Sequence, residues 1–266
     1  GYDVGAGTQT AALMSGGYTT TVVAITEQYD GSSWTEVGDL NTARFASSGS
    51  GTTYTAAFLA TGLAPGRVTN TEIWDGSSWT EVNEVNTGRN SSGGTGSSTA
   101  GLITSGEAPS ITAKTESWDG TNWTEVNDLN TAGKMRVAIG TYTSALAIGG
   151  STAAGAPFYS IVEQWDGSSW TEIADLNTAR GEGAATGTSA LGLAFGGENP
   201  NAVAITEFWN GTSWTEVADL ATAVANSAGA GTSSAGLSFA GQAPGITAAT
   251  EEFTAADFQI KTVTQS

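Results

Sequence analysis

The chain has 266 residues, of which 39% are apolar, so it can bury a sizeable core. Its 26 acidic and 8 basic side chains leave a net charge of −18, which repels phosphate backbones and anionic membrane faces and sets nucleic acid aside as a partner. With no Cys and no His there is no disulfide, no thiol nucleophile, no Ser-His-Asp triad and no imidazole zinc site.

The 37 Gly, the many Ser and Thr and the 9 Trp favour strands and tight turns over helices. No apolar stretch approaches the roughly 20 residues that a membrane helix needs, so no membrane insertion is expected. The chain opens on Gly1 and not on Met, directly after the place where the later copies carry Arg, which suggests a piece of a longer polypeptide.

Taken in chain order, the first copy of a repeat runs through a Gly7-Thr8 turn, a Gly16-Gly17 pair, and the phrase YDGSSWTEV at residues 29–37. The second copy shows every part. FASSGSG and TYTAAFLATG form two runs about Gly51-Thr52; Ala64-Pro65-Gly66 breaks the chain; TNTEIW and WTEVNEV form two more about Asp75-Gly76. The same order recurs around Gly96 and Trp118-Trp123, around Gly140 and Trp165-Trp170, around Gly187 and Trp209-Trp214, and around Gly231 with Phe258 standing where a Trp is expected. Trp34, Trp79, Trp123, Trp170 and Trp214 are spaced 45, 44, 47 and 44 apart, and the Gly marker gives an independent match.

Four short strands per copy of about 45 residues is the period of a propeller blade. The expectation is an all-β, six-bladed β-propeller of four-stranded antiparallel blades, one domain over 1–266. Its blades are expected near 1–44, 45–89, 90–133, 134–180, 181–224 and 225–266, with blade six packing on blade one. Asp-Gly predicts a hairpin turn with positive φ at both central residues. The flanking aromatics are read as packing between blades, with sugar stacking as the alternative.

The glycines closing the second strands (Gly16-Gly17, Gly149-Gly150, Gly196-Gly197), the aromatic-Asp of the third and the Trp opening the fourth resemble Kelch-type propeller repeats. TEVADL-like strands running into NTAR are similar to Kelch-like repeats in tail-fibre and other structural proteins of marine bacteriophages. The resemblance implies a non-enzymatic structural or adhesive module on a virion or extracellular surface. Its partners would be a cell-surface glycan or protein receptor and other virion or filament subunits, a further copy of itself among them. The alternative is a glycan-processing enzyme of sialidase or lyase type.

Arg44, Arg89 and Arg180 occupy equivalent connections and lie on one face, where they could grip a carboxylate. Pairing with the acids of their own connections, such as Asp39, Glu84 or Asp175, is the competing reading. Glu27 and Glu36, Glu72 and Glu81, Glu116 and Glu125, Glu163 and Glu172, and Glu207 and Glu216 would oppose one another across hairpins with four-residue loops. That arrangement calls for water, for hydroxyl and backbone donors, or for a hard cation such as calcium between them; no other cofactor is expected. Sequons at Asn90, Asn122 and Asn210 are expected by chance in so Ser/Thr-rich a chain. The longest insertion, Ser151 to Ile161, carries Phe158 and Tyr159, the best candidate for an exposed contact pair, with a mere packing tab as the favoured alternative.

Overall fold

The computed structural model describes residues 4–152, 157–255 and 259–263. Six four-stranded antiparallel sheets, each in simple sequence order, make a six-bladed β-propeller with no helix among the described residues. Blade one runs through Val4–Thr8, Ala11–Ser15, Thr26–Tyr29 and Trp34–Glu36; blade six ends on Thr250–Thr254 and Gln259–Val263. The first strands pack side by side around the axis, and the ring closes where Val4–Thr8 meets Ala228–Thr232 of blade six. No strand is shared between the two chain ends. A small extra hairpin, Glu107–Ala108 with Ser110–Ile111, decorates blade three.

The glycine marker has a steric cause. Gly7 and Gly96 sit in first strands with φ of 105° and 110°, and a Cβ there would overlap the carbonyl oxygen of Ala11 or Ala100 on the partner strand. In the hairpins, only the Gly of each Asp-Gly has positive φ, which corrects the expected turn. The Asp instead caps its own four-residue loop. Asp30 Oδ1 accepts from the Ser32 and Ser33 amides at 2.9 Å each, and these bonds hold its pKa down at about 2.

The core consists of six wedges, each built by two neighbouring blades. Between blades two and three, Phe58 and Val85 meet Trp118 and Trp123; between blades six and one, Phe239 and Leu237 meet Ala12 and Tyr29. Each hairpin places its two aromatic rings in tilted contact, with centroids 5.2 to 5.5 Å apart. The fourth-strand Trp then donates its indole N–H to a Thr of the preceding blade: Trp79 to Thr26, Trp123 to Thr71, Trp170 to Thr115 and, across the closing seam, Trp34 to Thr250 at 3.2 Å. The seam is reinforced by Gln9, whose amide donates to the carbonyls of Gly236 and Phe253.

Two places break this series. Blade six pairs Phe253 with Ile260, so Ile260 holds the register position of the fourth-strand Trp; Phe258, expected there, lies outside the described residues. Blade four has Val162 where the others have Thr, and the Trp214 indole N–H is consequently buried with no acceptor. Replacing Val162 with Thr restores the missing acceptor in a site that holds Thr in the other blades. The variant should gain about 1 kcal/mol, read as a higher denaturation midpoint at unchanged m-value.

Candidate functional site

The two sets of connections share one face, as their direct bridges show: Phe45 with Leu63, Asn90 with Glu107, Lys134 with Ser151, Gly181 with Glu198, Ala225 with Gln242. Arg44, Arg89 and Arg180 leave from this face but do not present charge to it. They are 0%, 0% and 4% exposed, and each enters the next blade to meet a third-strand glutamate. Arg44 Nη2 lies 3.0 Å from Glu72 Oε1, Arg180 Nη1 lies 2.6 Å from Glu207 Oε1, and Arg89 pairs with Glu116. Neither a surface carboxylate grip nor pairing with Asp39, Glu84 or Asp175 describes them.

The rest of the connection completes the arrangement. Asn41 donates its backbone and side-chain N–H groups to Glu72 Oε2 at 2.7 and 2.8 Å, and its side chain also reaches the Trp79 carbonyl. Asn86, Asn130 and Asn177 repeat this on Glu116, Glu163 and Glu207. The motif Asn-Thr-x-Arg is thus one half of a clip, and the buried glutamate of the next blade is the other half. Blade five to blade six lacks the Asn and the Arg; Glu251 there receives only the amides of Ala221 and Thr222.

Arg136, which the pattern of the motif conceals, does the same work for blade four from three residues farther along. Its Nη1 lies 3.5 Å from Glu163, and its Nε stands where a Cβ on Gly133 would crowd it. The opposed glutamate pairs are present in the expected register, Glu72 with Glu81 and Glu116 with Glu125 among them. One member of each of these pairs is buried in a clip and the other faces solvent, so protein donors stand where a cation was considered.

Phe158 and Tyr159 are half-buried, which corrects the exposed contact pair and agrees with the packing tab; residues 153–156 of the insertion lie outside the described residues. Tyr159 donates its amide to Gly150, accepts from the Arg180 amide at 3.0 Å, and lays its ring 5.8 Å from the Arg136 guanidinium. Its place is beneath the clip of blade four. Phe158 bridges Ser151 and packs beside Gly181.

A cavity of about 470 Å³ lies on the axis, walled by the six first strands. Its rim is a ring of residues with positive φ at equivalent places: Ala46, Ser91, Met135, Glu182 and Asn226. Each amide from Ser91 onward donates to the carbonyl of the preceding member, at 2.7 to 3.1 Å, which fixes the mouth. The side chains here do not repeat. Arg67 and Lys134 both pair with Glu107, while Arg67 also donates to Asn90 Oδ1. Between the next two members of the rim, Asn226 donates its side-chain amide to Glu182 Oε2 at 2.7 Å, and Glu182 shares a hydrogen bond with Glu198. Burial first, and that bond second, push the Glu182 pKa up to about 7, so near neutrality Glu182 is partly protonated.

No family model matches the chain, and no curated protein matches it. Among solved structures, the one titled "Structure of YjhT" superposes with a TM-score of 0.78 at 11% identity, covering 98% of this chain and 97% of that one. At that identity the likeness establishes the shared propeller fold alone.

The raised Glu182 pKa has a signed consequence. The folded protein binds a proton that the unfolded chain releases, so Glu182 stabilises at low pH, and the contribution fades as pH climbs from about 4.5 to about 7. Urea midpoints measured across that window should fall with rising pH in the parent protein and fall less in Glu182→Gln.

Proposed function

We propose that the protein is a non-enzymatic binding module that engages a surface glycan or a partner subunit at the axial mouth. The observation that carries this reading is where the sequence stops repeating. Arg67, Lys134, Glu182 and Asn226 break the symmetry of the blades; Glu182 and Asn226 line the open cavity, and Arg67 and Lys134 stand with Glu107 and Glu198 in the connections of the same face, while Arg44, Arg89, Arg136 and Arg180 are engaged in interblade clips. Small hydroxyl residues of the wall, such as Ser50, Thr95 and Thr186, suit a polar, hydroxyl-rich ligand.

A Kelch-like module of a phage tail fibre or similar appendage, displayed on the virion or an extracellular surface, is the setting that the NTAR and TEVADL repeats support. The net charge of −18 favours partners other than nucleic acid. A glycan-processing activity is the second reading, and it rests on Glu182, a cavity-lining carboxyl hydrogen-bonded to Glu198 whose raised pKa suits a general acid. The burial of Arg44, Arg89 and Arg180 weighs against a sialidase-type grip on a sugar carboxylate.

Screening the purified protein against immobilised neutral, acidic and amino-sugar glycans, with product analysis of every soluble oligosaccharide tested, separates the two readings. Retention without turnover, weakened at least tenfold by Asn226→Ala, is the expected result. Turnover that disappears in Glu182→Gln would establish the enzyme reading, and retention indifferent to the rim residues would remove the mouth as the site.

A further inference from the structure

Blade one carries the receiving half of an interblade clip without a described donor. In blades two, three, four and five the third-strand glutamate is fully buried and takes Asn and Arg from the connection before it. The corresponding residue of blade one is Glu27, set opposite Glu36 in the same register. Glu27 is only half-buried, its pKa is raised by partial burial and by Glu36, and no described residue donates to it.

The surroundings of Glu27 repeat those of a filled clip. The carbonyl that Asn41 reaches on Trp79 corresponds to that of Trp34, which is half-buried, whereas Trp79, Trp123, Trp170 and Trp214 are 5 or 6% exposed. The carbonyls that receive Arg44 and Arg180 belong to Leu59 and Ala194, the partners in register of Glu72 and Glu207; the partner of Glu27 is Met14.

We propose that Glu27, together with the Trp34 and Met14 carbonyls, is a docking edge for an extended Asn-Thr-x-Arg segment of the kind that polypeptide placed directly ahead of Gly1 would present. The spacing suits this source. Arg44, Arg89 and Arg180 each stand four residues ahead of the first strand they precede, at Ser48, Gly93 and Ala184. Blade one begins its first strand at Val4, so an Arg immediately before Gly1 has the same reach. The charges match as well: a guanidinium supplies the partner that Glu27 lacks, and the segment would cover the exposed side of Trp34 at the seam where blade six meets blade one.

The test appends Leu-Asn-Thr-Ala-Arg ahead of Gly1 and compares thermal unfolding with that of the same extension bearing Ala at the Asn and Arg positions. The full extension should raise Tm by several degrees over the Ala version, and the difference should vanish when both are placed on Glu27→Gln. As a second measurement, the free acetylated peptide should bind the unextended protein by calorimetry and fail to bind the extended one. Equal Tm for the two extensions, or a gain that survives Glu27→Gln, would overturn the proposal. So would peptide binding that is indifferent to the extension.

Discussion

Four junctions of this propeller turn on one kind of interaction, a third-strand carboxylate withdrawn from water and received by an arginine and the backbone of the preceding connection. A buried carboxylate is costly alone, and so is a buried guanidinium, and each is tolerated here because the other is delivered to it; the carboxylates are well supplied with donors, whereas Nε and Nη1 of Arg44 and of Arg136 are buried without a hydrogen-bond partner. Because the two halves come from different blades, correct blade-to-blade placement is a condition for satisfying either. The clip therefore specifies how blades meet more than it adds stability over an apolar pair of the same shape. The tryptophan wedges supply the hydrophobic gain at the same junctions, and the indole-to-threonine bonds fix the rings in one orientation.

The scaffold was legible in the sequence because it repeats. The spacing of the hairpin tryptophans and of the glycines before Thr or Ser set the blade count, and the four-residue loops set the register that puts Glu72 opposite Glu81. What those glutamates and arginines do was not legible, since the partner of Arg89 lies 27 residues along the chain in another blade, and nearer acids such as Glu84 offer a simpler pairing. Arg136 was hidden because it replaces the expected position from three residues away, with Gly133 making the room. Counting by 44 chose Phe258, but a longer hairpin in blade six moves the register onto Ile260. Tyr159 looked like an exposed aromatic in an insertion; its ring lies against Arg136.

The rim was illegible for the opposite reason. Arg67, Lys134, Glu182 and Asn226 recur at no period, whereas Glu107 and Glu198 hold the same place two blades apart, and only the closed ring brings them to one face. A repeat scaffold leaves such positions free to vary, because the blade fold depends on Gly, Trp, Glu and Asn-Thr-x-Arg and not on what the rim carries. The proposed binding role accordingly falls to residues that depart from the pattern.

A double-mutant cycle on Arg44 and Glu72 measures the interblade clip most directly. Arg44→Met leaves Glu72 buried without its countercharge and should cost about 3–5 kcal/mol in unfolding free energy, as should Glu72→Gln, which leaves the guanidinium unpaired. The double variant should be less destabilised than the sum of the two by at least about 2 kcal/mol, since neither charge is then stranded. Additive losses would contradict the account, because they would mean that the arginine and the glutamate act separately and that blade placement rests on the tryptophan wedges alone.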